Sequence, residues 1–161
     1  MKAPPNAGRR TALITGGGRG IGRATALLAA GAGYDVCVNY ASDEGRAEET
    51  AAACRALGVA SVAVRADVAD RSAVAALFSA SDQALGPLGL LVNNAGIIGK
   101  ASKVADLDPE PLQRTFEVNV FGSIYAAQEA IKRMSTAEGG AGGAIVNLSS
   151  IAATLGSPGE Y

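Results

Sequence analysis

A glycine-rich segment, residues 15–22, sets the local fold of this chain: it follows the short apolar run 11–14 and precedes the alanine-rich segment 23–32. A strand that ends at glycines and turns directly into a helix points the free N–H groups and positive dipole end of that helix above the turn. Such a turn binds phosphate. A flexible glycine turn without a ligand is the alternative that this segment alone leaves open.

The spacing within the segment narrows the class of nucleotide site. Gly16 permits a tight turn, Gly20 lets a diphosphate approach the backbone, and Gly22 lets the helix pack near the strand. A P-loop nucleotide hydrolase is disfavoured, because Arg23 and Ala24 stand where that motif needs Lys and then Ser or Thr. A methyltransferase is disfavoured as well, because the second predicted strand ends without an acidic residue.

Composition excludes several functions. The chain has no histidine, so it cannot by itself build a Ser-His-Asp triad, a histidine zinc site or a histidine-ligated haem. Its net charge is −1 and it has no basic run, so neither nucleic acid nor a membrane surface is an expected partner. Cys37 and Cys54 match no metal or redox motif, which predicts two buried thiols, a cytoplasmic location and no metal site.

Strand and helix patterns alternate along the chain, which predicts an α/β fold with a parallel sheet and right-handed crossovers. The predicted strands are residues 11–14, 35–40, 61–66, 90–92 and 145–148. The predicted helices cover residues 23–32, a segment capped by Ser42 or Asp43 and ending near residue 57, a segment capped by Asp70, and a long segment from Asp108 and Pro109 to about residue 134.

Polar residues and glycines follow all of these strands. Ligands of parallel sheets bind at the carboxyl ends of the strands, so these positions are expected to converge on one site. They are residues 16–22, 40–42, 67, 93–96 and 150.

In their order and separation, these motifs resemble the classical short-chain dehydrogenase/reductase family, including 3-oxoacyl-carrier-protein reductases and sugar dehydrogenases. The matching residues are Thr15, Gly16, Gly20, Gly22, Asp67, the Asn-Asn-Ala-Gly run at 93–96, Asn119 and Ser150. The resemblance implies a Rossmann-like doubly wound sheet with strand order 3-2-1-4-5, without the family's later strands. Residues 1–10 are expected to be a flexible tail, and residues 11–161 a dinucleotide-binding domain that is incomplete at its C-terminal end.

The resemblance also implies a set of cofactor contacts. Asp67 would accept a hydrogen bond from the adenine amino group, whereas Asn94 would tie neighbouring strands together. The predicted cofactor-binding residues are Gly16, Gly18, Arg19, Gly20, Ile21, Gly22, Tyr40, Ser42, Asp67, Val68, Asn93, Ala95 and Gly96.

The end of the second predicted strand bears on the choice of cofactor. An acidic residue there would bind a ribose 2′-hydroxyl and repel a 2′-phosphate, and this chain has Tyr40 instead. Arg19 stands where NADP-using members of the family often carry a basic residue, and its guanidinium can bind phosphate. Asp43 and Glu44 argue mildly against a phosphate, and Arg19 can also be a solvated loop charge. The prediction is NADP(H) over NAD(H).

Two catalytic positions are also carried over from the family. Ser150 would polarise the substrate carbonyl, while Ser149 would point to the opposite face of an extended chain. Asn119 is predicted to lie in the apolar stripe of the long helix that faces the sheet. There it is either a satisfied core asparagine or, as the resemblance implies, a residue that distorts the helix and holds a water in a proton relay.

The C-terminus departs from the family pattern. The family's proton donor is a Tyr followed four residues later by a Lys, and this chain ends at Tyr161. Tyr161 is either that Tyr or a residue of the substrate loop. The chain is therefore expected to be a fragment that exposes apolar surface and is inactive alone.

The resulting prediction is an NAD(P)-dependent oxidoreductase that interconverts a ketone and a secondary alcohol. Its partners would be a small carbonyl or alcohol substrate and, at full length, further copies of itself. The alternative is a non-catalytic dinucleotide-binding module, which the missing Lys favours.

Overall fold

Five parallel strands form one sheet in the computed structural model, which describes residues 8–99 and 102–156. The strands are β1 (Thr11–Ile14), β2 (Asp35–Tyr40), β3 (Ser61–Arg65), β4 (Leu88–Asn93) and β5 (Ala144–Asn147). Their order, β3-β2-β1-β4-β5, confirms the predicted fold class and strand order. β2 and β3 extend the sheet on one side of β1, whereas β4 and β5 extend it on the other side. This switch between β1 and β4 opens a crevice at the carboxyl ends of the strands.

The helices follow the strands as the sequence predicts. They are α1 (Gly20–Gly31), α2 (Glu44–Ala56), α3 (Arg71–Leu85), α4 (Pro109–Phe116), α5 (Gly122–Met134) and α6 (Ala152–Leu155). A π-helical segment, Glu117–Phe121, joins α4 to α5. In the part of the chain that the structure describes, no helix combines the length and apolar character needed to cross a membrane.

Aspartate caps fix the starts of two helices. Asp43, rather than Ser42, caps α2 by accepting a hydrogen bond from the Arg46 N–H at 3.1 Å. Asp70 caps α3 through bonds from the backbone of Ser72 and Ala73 at 2.7 and 3.2 Å. Both caps bring the first turn of the helix close to the carboxyl edge of the sheet.

Side chains that alternate along each strand build two hydrophobic cores. Ala12 and Ile14 pack with α1 and α2 on one face of the sheet. Leu13 packs with α3 and α5 on the other face, in a cluster that includes the fully buried Phe78. The sheet is thus covered on both faces along β1, as a central parallel strand requires.

β5 is less well covered than β1. Within residues 8–99 and 102–156 it pairs with β4 alone, and Val146 is 46% exposed. This agrees with the expectation that these residues leave apolar surface open at that edge.

The last residues of the predicted N-terminal tail are held against the sheet, whereas residues 1–7 lie outside the described part. Arg9 donates to the Gly58 carbonyl at 3.0 Å, and the Arg10 carbonyl accepts from the Asp35 N–H at 3.1 Å. The ordered fold therefore begins before β1.

Candidate functional site

The turn between β1 and α1 has the geometry of an anion site. Gly16 and Gly20 have φ values of +61° and +52°, in the left-handed region that favours glycine. α1 starts at Gly20, and the preceding Arg19 gives it no side-chain cap. The N–H groups of the first helical turn therefore remain available to an anion above the turn.

Asn94 braces this turn from the end of β4. Its side-chain amide donates to the Thr15 and Gly16 carbonyls at 2.8 and 3.0 Å. The prediction that Asn94 ties neighbouring strands together is confirmed. Gly22 lies directly behind it, where an added Cβ would stand 2.4 Å from the Asn94 Nδ2.

A cleft of about 490 Å³ extends from this turn across the carboxyl edge of the sheet, a size ordinary for a small-molecule site. All of the predicted cofactor-binding residues line it except Gly22 and Asn93. Gly22 packs behind the turn, and Asn93 is buried below the cleft, where its amide donates to the Ser123 carbonyl and to Asn147 at 3.1 and 2.9 Å.

Sequence reasoning missed several residues of the cleft. They are Asn39, Asp43, Arg46, Ala66, Ile97, Arg114 and Val118. Ala41 and Asn94 also line the cleft, as the strand-end segments 40–42 and 93–96 predict. The position of Arg46 could have been predicted from the sequence. Asp43 caps α2, so the residue three positions later lies in the first turn of that helix, beside the cap. For Arg114 no motif signalled the contact, which joins residues 47 positions apart.

The wall formed by α2 carries opposite charges. Asp43 lies 3.3 Å from the guanidinium of Arg46, and both side chains are 58% exposed. Gly18 packs against the same helix turn, since a Cβ on it would stand 3.2 Å from the Ala47 nitrogen. The phosphate turn and α2 are therefore close neighbours, with Arg19 and Arg46 both lining the cleft.

Tyr40 lies where β2 reaches the cleft. Desolvation and the nearby Glu44 carboxylate raise the pKa of its phenol above the ordinary value. Tyr40, which lines the cleft, is protonated near neutral pH, as a phenol ordinarily is, and can donate a hydrogen bond.

Asp67 follows β3 and has partners on both carboxylate oxygens. Oδ1 accepts from the Ala69 N–H at 3.0 Å, and Oδ2 accepts from the Arg114 guanidinium at 2.5 Å. Arg114 reaches it from the last turn of α4. The pair fixes the direction of the carboxylate on the wall of the cleft.

The prediction that Asn119 faces the sheet from an apolar stripe is wrong. Asn119 is exposed, and the neighbouring Phe116 and Val120 are 52% and 41% exposed. The helix instead turns small or slender residues toward the sheet, because close packing leaves no room for larger ones: a Cβ on Gly122 would stand 2.8 Å from Val68. The buried residues follow one another at intervals of four positions: Val118, Gly122, Ala126, Ala130 and Met134.

Asn119 lies at the centre of the π-helical segment. Its amide accepts from the Ile97 N–H and donates to the Ile97 carbonyl, each at 2.8 Å. The distortion that the family resemblance implies at this residue is therefore present. Such π turns recur at functional sites, and this one attaches the long helix to the loop that follows β4.

Ser150 is exposed and lies three residues beyond β5. Its Oγ accepts a hydrogen bond from the Ala152 N–H at 3.1 Å. Ser149 is exposed as well, so exposure does not separate the two serines. Tyr161 lies outside the described residues.

The residues present fit a dinucleotide. The uncapped start of α1 suits a diphosphate, and a Cβ on Gly20 would meet nothing within 4 Å, so the turn is open on that side. Asp67 offers an acceptor to an amino group, and Arg19 and Arg46 offer donors to a phosphate.

Comparison with known proteins gives one consistent family. A model of the family described as short chain dehydrogenase matches residues 10–161. The match covers the phosphate turn, the cleft and the residues that follow β5.

Individual relatives agree with this match. The uncharacterized oxidoreductase YgfF of Escherichia coli strain K12 is 49% identical over 150 residues, which span 93% of this chain and 61% of that protein. The L-rhamnose 1-dehydrogenase (NAD(P)(+)) of Sphingomonas sp. strain SKA58 is 39% identical over 152 residues, which span 94% and 58%. The chain thus spans about three fifths of the length of these relatives.

A crystal structure from Sinorhizobium meliloti 1021, assigned as a short-chain alcohol dehydrogenase, has the same fold. It superimposes with a TM-score of 0.85 at 37% identity, over 94% of this chain and 58% of that one.

Proposed function

Since the chain belongs to the short-chain dehydrogenase family, we propose that the protein is an NAD(P)-dependent oxidoreductase that interconverts a ketone and a secondary alcohol. The observation that carries the proposal is that the uncapped start of α1 and the Asp67 side chain line the same cleft. A bound nicotinamide dinucleotide would supply hydride to the ketone carbon or accept it from the alcohol carbon.

Each part of the cleft has a role in holding the dinucleotide. The first turn of α1 binds the diphosphate, and Asp67 accepts a hydrogen bond from the adenine amino group. The small residues Ala95 and Gly96 leave room for a ribose. Gly22 and Asn93 support these groups from behind, which is consistent with their positions outside the cleft lining.

Ser150 orients the substrate oxygen in this proposal. Its bond from the Ala152 N–H occupies one lone pair of Oγ, so its O–H remains able to donate to a carbonyl oxygen. Asn119 supports the proton relay from the π-helical turn. The proton is exchanged by Tyr161 or by a tyrosine beyond it.

NADP(H) is the proposed cofactor. Arg19 and Arg46 line the cleft close to Ser42, and no acidic residue ends β2. A 2′-phosphate would therefore meet two guanidinium groups, with Asp43 as the opposing charge. The substrate class stays open between acyl-thioester ketones and sugars or small alcohols.

The test is an assay of the full-length gene product that contains residues 1–161. Oxidation of NADPH and of NADH is followed at the nicotinamide absorbance with a panel of acyl-thioester, sugar and simple ketones. Turnover that is lost in Ser150→Ala but retained in Ser149→Ala supports the proposal. Tight dinucleotide binding without turnover across the panel would favour the alternative, a non-catalytic binding module.

We also propose that the full-length protein is a homo-oligomer. The long helix exposes a series of large apolar side chains that monomeric proteins seldom display together: Leu112, Phe116, Val120, Ile124 and Ile131. The molar mass from light scattering tests this directly. A monomeric mass at micromolar concentration would refute it.

A cytoplasmic location is proposed on the chemistry of the two cysteines. Cys37 and Cys54 are both free and buried, as expected of thiols kept in a reducing compartment. Fractionation of cells that express the protein at native level tests the location.

A further inference from the structure

The ion pair between Asp67 and Arg114 connects two walls of the cleft. Arg114 Nη2 lies 2.5 Å from Asp67 Oδ2, and both side chains are 43% exposed. The second nitrogen of the guanidinium, Nη1, lies 3.8 Å from the Glu117 carboxylate at the start of the π-helical segment. Arg114 therefore bridges the end of β3 and the helix that carries Asn119.

This pair contributes little to folding, because a half-exposed ion pair gains little Coulomb energy and is screened by salt. The main effect of the ion pair is to fix the orientation of the Asp67 carboxylate. The Ala69 N–H holds Oδ1 and Arg114 holds Oδ2, so rotation of the carboxylate would break two hydrogen bonds. Each oxygen keeps a lone pair for a further donor.

We propose that Arg114 is a positioning residue for recognition of the adenine base. It holds the Asp67 carboxylate in an orientation in which a lone pair accepts from the exocyclic amino group. The inference rests on the proposed function, in which Asp67 receives that amino group. Without Arg114, the carboxylate loses one of its two restraints and the preference for adenine weakens.

A base without the amino group tests this role. Nicotinamide hypoxanthine dinucleotide phosphate carries a carbonyl where NADPH, the adenine form, carries the amino group, and a carbonyl oxygen is repelled by an oriented carboxylate. A purely structural role for Arg114 would lower the affinity for both dinucleotides equally. A positioning role changes the ratio of the two affinities.

The measurement is the dissociation constant of each reduced dinucleotide for the full-length gene product, by nicotinamide fluorescence. We expect the wild type to prefer the adenine form by about tenfold or more, since a site built to bond an amino group rejects its replacement. Arg114→Ala should reduce that preference to about threefold or less, and Asp67→Ala should abolish it. Adding Arg114→Ala to Asp67→Ala should change the ratio no further.

The controls separate this inference from the proposed function. Arg71→Ala removes an exposed arginine at the first residue of α3, outside the cleft lining, and should keep the wild-type ratio. Arg114→Lys keeps a positive charge without the planar fork and should give an intermediate ratio. A wild-type ratio in both Arg114 variants, or no preference in the wild type, would overturn the inference while dinucleotide binding stands. Failure of the wild type to bind either dinucleotide would instead overturn the proposed function.

Discussion

Thr15 and Asn94 bind each other from the ends of two adjacent strands. The Thr15 hydroxyl accepts from the Asn94 N–H at 3.0 Å, and the Asn94 amide donates to the Thr15 carbonyl at 2.8 Å. The same hydroxyl accepts from the Ala95 N–H at 3.0 Å and donates to the Val92 carbonyl at 3.3 Å. One threonine thus sets the position of the phosphate turn relative to the loop that follows β4.

Thr15→Val removes this hydroxyl and keeps nearly the same shape. Thr15 is 1% exposed, and the half-buried backbone N–H groups of Asn94 and Ala95 lose the oxygen that they share. Two such losses should lower the free energy of unfolding by about 2–4 kcal/mol. Urea denaturation of the full-length gene product measures the change.

The matched control is Thr15→Ser, which retains the hydroxyl. It should lose less than half as much stability as Thr15→Val, because only a methyl group is removed. Equal losses in the two variants would show that packing of the methyl group, and not the hydroxyl, holds the two loops together.

Gly22→Ala should disable the phosphate turn. An added Cβ would stand 2.4 Å from Asn94 Nδ2 and 2.5 Å from the Gly16 carbonyl oxygen, so the hydrogen bond between those groups has to break. We expect a loss of about 1–3 kcal/mol in unfolding free energy and a large loss of dinucleotide affinity. Fluorescence titration with NADPH and thermal unfolding report the two effects.

Gly31→Ala is the control for this substitution within the same helix. A Cβ there meets nothing within 4 Å, and alanine is the better helix former. It should leave affinity unchanged and stability equal or slightly higher. If Gly22→Ala behaved like Gly31→Ala, the close approach of α1 to Asn94 would contribute neither to dinucleotide affinity nor to stability.

Arg19 and Asp43 should affect NADPH affinity in opposite directions. Arg19→Ala removes a donor to the 2′-phosphate and should weaken NADPH binding by about tenfold or more, with little effect on NADH. Asp43→Asn keeps a good helix cap for α2 but removes a negative charge beside Arg46. It should strengthen NADPH binding by about three- to tenfold at low salt.

Salt dependence and NADH serve as internal controls for these two variants. The NADPH effects should shrink as ionic strength rises, because exposed charges are screened. Equal changes for NADPH and NADH in Arg19→Ala would argue that Arg19 acts on the diphosphate and would remove the basis for an NADP preference.

The parallel sheet and most of the cleft follow from local patterns in the sequence, whereas the strand order was implied by the family resemblance. Each strand end is marked by glycine or a polar residue, and the parallel topology brings the ends of β1, β2, β3 and β4 together at the cleft. Ser150, which follows β5, lies outside the cleft lining. Asp67 and Ala95 are examples of residues that this rule located correctly on the cleft wall.

Other features depend on packing that no local pattern reveals. Asn119 was expected to be buried, but the close packing of Gly122 on Val68 sets which side of the helix faces the sheet. Arg114 reaches Asp67 from the last turn of α4, and the two residues are 47 positions apart along the chain. Helical periodicity predicts an apolar stripe, but it does not tell small buried residues from large exposed ones.

Stability should fall at alkaline pH because of Cys37. This residue lies on β2, opposite Leu13 of β1, and is 0% exposed. Burial raises the pKa of its thiol to about 12. An unfolded thiol ionises near pH ~8.5. The stability contributed by the neutral buried thiol is therefore complete below that pH and is lost as the pH rises toward 12, by about 1.4 kcal/mol per pH unit.

Urea denaturation between pH 7 and pH 10 tests this in the wild type and in Cys37→Ala. The variant is less stable throughout because of the small cavity, but its stability should fall less with pH, by about 2 kcal/mol at pH 10. Cys54→Ala is the matched variant: it keeps the Cys37 thiol and should keep the part of the slope that Cys37 causes. Parallel pH profiles for the wild type and Cys37→Ala would contradict the prediction, because they would mean that the thiol ionises as easily in the folded protein as in the unfolded chain.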